Sequence, residues 1–212
     1  MDIEVINYGA HLRTVNVPDR QEKSVDVTIG LESISDYEDG NDYFGCIAGR
    51  FCNRIDGGKF TLNQKEYALN LNDGANTLHG GFRGFDQRLW SVKEEIADSE
   101  KVGVALNYVS ADGEEGYPSI CDVTVQYLLY LDENIMEITY FATTDHQTVV
   151  NLTRNVEPEC VLYENTITFV EHGINQFLTV KPRKSRAFSL VPPRIMTRCA
   201  CFSGCTVMHF GI

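Results

Sequence analysis

Cys121-Asp122-Val123-Thr124-Val125-Gln126-Tyr127-Leu128-Leu129-Tyr130-Leu131 is the stretch that decides the fold. Val123, Val125, Tyr127, Leu129 and Leu131 take alternate positions, with Asp122, Thr124 and Gln126 between them. A period of two puts these side chains on opposite faces of an extended chain, one apolar and one polar. Asp132-Glu133-Asn134 then reads as a turn, after which Met136, Ile138 and Tyr140 alternate with Glu137 and Thr139. The pattern predicts an antiparallel hairpin with one buried face.

The same signal recurs upstream. A second hairpin is expected from Lys59–Leu62 and Glu66–Leu69, joined by Asn63-Gln64-Lys65, and Val25–Leu31, Leu89–Glu94 and Lys101–Val109 are further strand candidates. Helical periodicity is weak. Many short strands separated by turn signals predict an all-β protein, an antiparallel β-sandwich or barrel. After Asn155 the alternation stops, Pro182, Pro192 and Pro193 interrupt the chain, and Cys199, Cys201 and Cys205 crowd together. Residues 1–154 are therefore expected to form one β-unit and residues 155–212 a divergent tail.

The chain has 212 residues, 43% of them apolar, enough for one large core. Its net charge is −12. The tail sets Lys181, Arg183, Lys184, Arg186, Arg194 and Arg198 against Glu157, Glu159, Glu164 and Glu171, so the acidic excess lies in residues 1–154. An acidic body disfavours nucleic acid and anionic membranes as partners, and it is compatible with a neutral ligand such as a sugar. Met1-Asp2-Ile3-Glu4 does not open a signal peptide, and no apolar run approaches the roughly 20 residues that span a bilayer. Seven cysteines, an odd count without a secreted framework's spacing, predict a reduced cytoplasmic protein. The sequon Asn151-Leu152-Thr153 is then incidental.

Candidate chemistry concentrates between Gly49 and Trp90. His79 precedes Gly80-Gly81, on backbone that can approach a ligand closely, and an imidazole suits proton transfer near neutral pH. A histidine that merely braces the turn fits the triplet equally well. Arg54, after Asn53 and before Gly57-Gly58, can offer a fork of donors to hydroxyls, or can form a surface ion pair. Asp112-Gly113-Glu114-Glu115-Gly116-Tyr117-Pro118 is either a source of a site carboxylate or a solvated turn. Phe82, Phe85 and Trp90 suit a sugar face or a core. Cys199, Cys201, Cys205 and His209 lack the paired knuckles of a structural zinc site, so no metal is expected.

Taken in order, these segments resemble the aldose 1-epimerase (galactose mutarotase) family. The blocks are Asn7-Tyr8-Gly9-Ala10, Val17-Pro18-Asp19-Arg20, Tyr43-Phe44-Gly45, Gly49-Arg50-Phe51-Cys52-Asn53-Arg54-Ile55, Leu78-His79-Gly80-Gly81, Gly84-Phe85-Asp86 and Trp90. Asp112 to Pro118, Ala142-Thr143-Thr144-Asp145 and Val150-Asn151-Leu152-Thr153 continue the match, which runs from Val5 to Thr153. The resemblance implies a galactose mutarotase-like β-supersandwich, here incomplete. It implies a cleft that binds hexoses such as galactose and glucose and interconverts their α and β anomers. A base removes the anomeric hydroxyl proton, an acid protonates the ring oxygen, and the opened ring recloses on the other face. It implies no cofactor. Asn53 and Arg54 align with the family's substrate-binding pair, and His79 aligns with the first of its two active-site histidines, with substrate-binding and catalytic roles.

The departure follows Thr153. The family continues with asparagine-histidine-serine-tyrosine-phenylalanine, whose histidine is the usual general acid, whereas this chain reads Arg154-Asn155-Val156-Glu157-Pro158. The family's sugar-binding aspartate and its glutamate base have no recognisable counterpart; Glu164, Glu171 and His172 lie in unmatched surroundings. The expectation is a mutarotase relative impaired in catalysis. A non-catalytic carbohydrate binder and a truncated, non-functional isoform are the alternatives.

Overall fold

A computed structural model describes residues 1–39, 43–131 and 135–154, together with the backbone of three further strands, Thr168–His172, Arg198–Phe202 and Cys205–Gly211. Two five-stranded sheets dominate. The first runs in the order Arg198–Phe202, Cys205–Gly211, Asp2–Ile6, His11–Pro18 and Ser24–Asp26, all antiparallel. The second runs Thr168–His172, Ile135–Thr144, Cys121–Tyr130, Lys101–Ser110 and Ser91–Ala97, antiparallel except where Thr168–His172 lies beside Ile135–Thr144. The all-β antiparallel expectation holds.

The decisive hairpin forms as its alternation dictates. Val123, Val125, Tyr127 and Leu129 are buried and face the core with Met136, Ile138 and Tyr140 of the partner strand. Its turn, residues 132–134, lies outside the described residues. Ile3, Val5, Leu12, Val15 and Val17 of the first sheet join the same apolar cluster, so the two sheets bury one core between them. The Tyr127 hydroxyl crosses that core and donates to the Ala10 carbonyl at 2.7 Å, which pins the sheets together without stranding a polar group. Phe85, Trp90 and Tyr108 pack edge-on or tilted at 5.4–5.8 Å between centroids. The indole Nε1–H donates to the Phe85 carbonyl. The edge strand Ser91–Ala97 carries Lys93, Glu94 and Glu95, charges that discourage pairing with another chain.

Three expectations change in detail. The strand foreseen over Val25–Leu31 ends at Asp26, because the Asp26 carboxylate accepts the amides of Val15 and Thr28 and the Thr28 hydroxyl, turning the chain. The second hairpin is Lys59–Leu62 with Lys65–Ala68, so its loop is two residues, Asn63 and Gln64, both at positive φ as a tight hairpin turn requires. A short helix, Ile34–Asp39, appears where none was foreseen; Asp36 accepts from the amide and hydroxyl of Ser33 at its start.

Candidate functional site

Arg54-Ile55 and Thr77-Leu78 form a two-stranded antiparallel ladder, with Arg54 opposite Leu78. Where the ladder opens, the His79 amide donates to the Asn53 carbonyl at 3.2 Å and the Asn53 amide donates to His79 Nδ1 at 3.1 Å. Asn53, Arg54 and His79 are thereby brought together, although 26 residues separate the first from the last. Asn53 (φ 67°) and His79 (φ 51°) are both left-handed, as is Tyr43 (φ 57°), whose ring lies 4.7 Å from the His79 imidazole, tilted by 55°. Each such residue costs about 1–3 kcal/mol, and strain of this kind collects where a surface is held for a ligand.

The glycines after His79 are required. Gly80 and Gly81 sit at φ 103° and 120°; a Cβ on Gly80 would strike the Gly49 carbonyl, and one on Gly81 the Glu115 carboxylate. That carboxylate secures the turn: Oε2 accepts the Phe82 amide at 2.9 Å and Asn70 Nδ2 at 2.8 Å, and Oε1 accepts the Arg83 amide at 3.2 Å.

Because Nδ1 of His79 accepts a backbone N–H, the neutral ring carries its proton on Nε2 and presents a donor there. Burial pushes its pKa below the ordinary value, and the positive charge of Arg54 adds to the effect. An N–H aimed at Nδ1 opposes protonation as well. Arg54 is more exposed: its Nε donates to Asp73 Oδ2 at 2.6 Å, with the two side chains 54% and 35% exposed. Two donor groups therefore stand side by side, and the cationic one is charge-compensated. The arrangement suits oxygen acceptors on an uncharged ligand.

The acidic turn Asp112 to Pro118 is exposed at Asp112 and Gly113, while its carboxylates bond groups of the protein itself. Glu115 braces the His79 turn, Glu114 accepts from the hydroxyls of Tyr108 and Ser110, and Asp112 accepts the Ser119 amide. Phe85 and Trp90 belong to the core, while Phe82 is 59% exposed beside the histidine turn. Sequence reasoning gave no role to Tyr43, Asn72 or Asp73, and it treated Glu115 only as one carboxylate of the acidic turn. The one available signal was Asn72-Asp73-Gly74, a turn-forming triplet. Side chains of Cys199, Cys201, Cys205, His209, Glu171 and His172, and all of Glu164, lie outside the described residues. Among the described residues, no His, Cys, Asp and Glu side chains gather in a group of three that could hold a metal ion, and no helix is long and apolar enough to cross a membrane.

Arg50, in the segment leading to Asn53, is only 2% exposed. Its Nη1 donates to the carbonyls of Pro118 and Ser119 and its Nη2 to the Ser110 hydroxyl and the Ala111 carbonyl. It is a structural arginine that ties the site segment to the acidic turn.

Comparison with known proteins shows the family and the fold. The sequence profile of the family described as aldose 1-epimerase matches residues 1–154. Galactose mutarotase of Sus scrofa is 40% identical over 153 residues, 72% of this chain and 43% of the relative. Aldose 1-epimerase of Escherichia coli (strain K12) is 34% identical over 156 residues, 74% of this chain and 44% of the relative. The crystal structure of galactose 1-epimerase from Lactobacillus acidophilus NCFM superposes with a TM-score of 0.64 at 28% identity, covering 73% of this chain and 44% of that one. The chain thus spans less than half the length of these relatives.

Proposed function

The chain belongs to the aldose 1-epimerase family, and from that membership we propose that residues 1–154 bind a hexose such as galactose or glucose at Arg54 and His79, with anomerisation impaired. The observation that carries this reading is the convergence of Asn53, Arg54 and His79 on one ladder, with Asn53 and His79 held in left-handed backbone. The Arg54 guanidinium and the His79 Nε2–H donate to sugar oxygens, and the Asn53 amide holds the imidazole in the tautomer that does so. The exposed ring of Phe82 offers an apolar surface to a sugar face.

Ring opening needs a base at the anomeric hydroxyl and an acid at the ring oxygen, acting together. His79, kept neutral near pH 7, supplies one donor. The second residue after Thr153, a histidine in the family, is Asn155 here, and a carboxamide has no proton to give near neutral pH. Loss of one member of a concerted acid–base pair costs orders of magnitude in rate. Polarimetry of fresh α-D-galactose, together with galactose titration by NMR, tests both halves. The expected result is binding that is lost in Arg54→Ala and His79→Ala, with mutarotation at the spontaneous rate. A catalysed rate that vanishes in His79→Ala overturns the impairment; absence of any galactose binding overturns the site.

A further inference from the structure

We propose that Asp73 is a positioning and specificity residue, which aims the Arg54 guanidinium at the ligand and cancels its charge so that the site takes a neutral sugar over an anionic one. The inference rests on the hexose reading above and deepens it.

The geometry begins with which edge of the guanidinium is used. Asp73 Oδ2 takes the Nε–H at 2.6 Å, and Nε lies on the side of the guanidinium facing its own stem. Engaging it fixes rotation about the last side-chain bonds. Asp73 is itself fixed: its amide and carbonyl exchange hydrogen bonds with the carbonyl and amide of Asn76 at 3.1 and 2.9 Å, closing a tight turn. The Asn76 side-chain oxygen accepts the Gly57 amide at 3.3 Å, on the Arg54 side of the ladder. The carboxylate is therefore mounted on the turn that leads into Thr77-Leu78, the strand opposite the arginine it holds.

The neighbouring residue performs the matching task for the histidine. Asn72 Nδ2 donates to the carbonyls of Leu78 and Gly81, at 2.9 and 2.7 Å, and its Oδ1 accepts the Leu78 amide at 2.7 Å. Those three bonds bracket His79. Two adjacent residues, Asn72 and Asp73, thus hold the two halves of the donor pair and set their relative placement. Charge supplies the specificity. An isolated guanidinium attracts phosphate strongly, whereas one already paired with a carboxylate keeps its donors and loses most of its field. With a neutral imidazole beside it, the site offers N–H groups without net positive charge.

An exposed ion pair adds little to folding stability, so removing it leaves the fold intact. This separates positioning from mere structure. Asp73→Asn, Asp73→Glu and Arg54→Ala are compared with the unaltered chain by NMR titration with galactose and with galactose 6-phosphate. The expected result is an Asp73→Asn protein with an unchanged melting midpoint, about tenfold weaker galactose binding, and a ratio of affinities shifted toward the phosphate by a similar factor. Asp73→Glu recovers part of the galactose affinity. If Asp73→Asn binds both ligands as the unaltered chain does while Arg54→Ala loses galactose, the role of Asp73 is overturned and the hexose site stands. If the unaltered chain binds no galactose, the hexose reading falls, and the Arg54 Nε–H resonance without ligand decides the positioning role. A slowly exchanging signal that collapses in Asp73→Asn supports it, and a signal indifferent to the substitution overturns it.

Discussion

The backbone amide of Asn53 points at Nδ1 of His79 from 3.1 Å, so one candidate binding residue sets the tautomer of the other. Burial first, and then the charge of Arg54, lower the pKa of this imidazole. The sign follows: a histidine with a lowered pKa stays neutral down to a pH below its ordinary midpoint of 6.5. The neutral ring, with Nδ1 accepting the Asn53 amide, is then the majority form at pH 6.5, and galactose affinity is expected to reach half its loss only below that value. Protonation at still lower pH breaks the Asn53 contact and weakens binding. An ¹⁵N-resolved titration of the ring checks this; a midpoint at or above 6.5 contradicts it.

A second expectation concerns Arg50. Its two Nη groups bond the Pro118, Ser119 and Ala111 carbonyls and the Ser110 hydroxyl, and Ser110 and Ser119 are buried. Arg50→Lys keeps the charge but replaces a planar five-donor fork by one ammonium, leaving several acceptors unsatisfied. Each buried group left without a partner costs about 1–3 kcal/mol, so a loss of about 3 kcal/mol or more is expected in urea unfolding. A loss below about 1 kcal/mol would mean that water replaces the fork at little cost.

The sequence was readable where a local pattern decides the structure. Alternation over Cys121–Leu131 and Met136–Tyr140 named the buried face of the central hairpin, because burial is decided by a local period of two. The His79-Gly80-Gly81 triplet marked a turn with close backbone approach, again a local property. Asp26 shows the limit: its carboxylate captures the Val15 and Thr28 amides and ends a strand that apolar periodicity would have continued. The supports of the site were not readable for a related reason. Asp73 reaches Arg54 across 19 residues, and Glu115 reaches Phe82 across 33. A carboxylate that binds a distant amide leaves no periodic trace, and seven consecutive residues from Asp112 to Pro118 read as a generic acidic turn. Arg50 and Arg54, four positions apart, look alike in sequence, yet one is enclosed and the other meets solvent.

Glu115 gives the third expectation. Its carboxylate accepts the amides of both Phe82 and Arg83, directly behind the His79 turn. Glu115→Gln retains one oxygen acceptor and turns the other into a donor facing an amide, which costs about 1–3 kcal/mol. Amide exchange at Gly81, Phe82 and Arg83 is expected to accelerate by about tenfold or more, while Val125 and Tyr127 in the central strand keep their relative protection. Galactose affinity should fall with it. Unchanged exchange at these amides would show that Gly80 and Gly81 hold the turn unaided.

Asp86 supplies a test by pH. Its carboxyl is buried, and that burial raises its pKa from 3.8 to about 6, against the opposing contributions of Gln87, its own amide and Arg88. A raised acid binds its proton more tightly in the folded chain, so its contribution is fully present below pH 3.8 and is lost as pH rises through about 6. At neutral pH the ionised group therefore costs on the order of 2–3 kcal/mol that Asp86→Asn avoids. The stability of Asp86→Asn relative to the unaltered chain is expected to improve by that amount between pH 3.5 and pH 7.5. His11, whose pKa burial pushes down to about 4, titrates in both proteins and cancels from the difference. Urea midpoints at the two pH values provide the measurement, and a difference independent of pH would place the proton of Asp86 elsewhere.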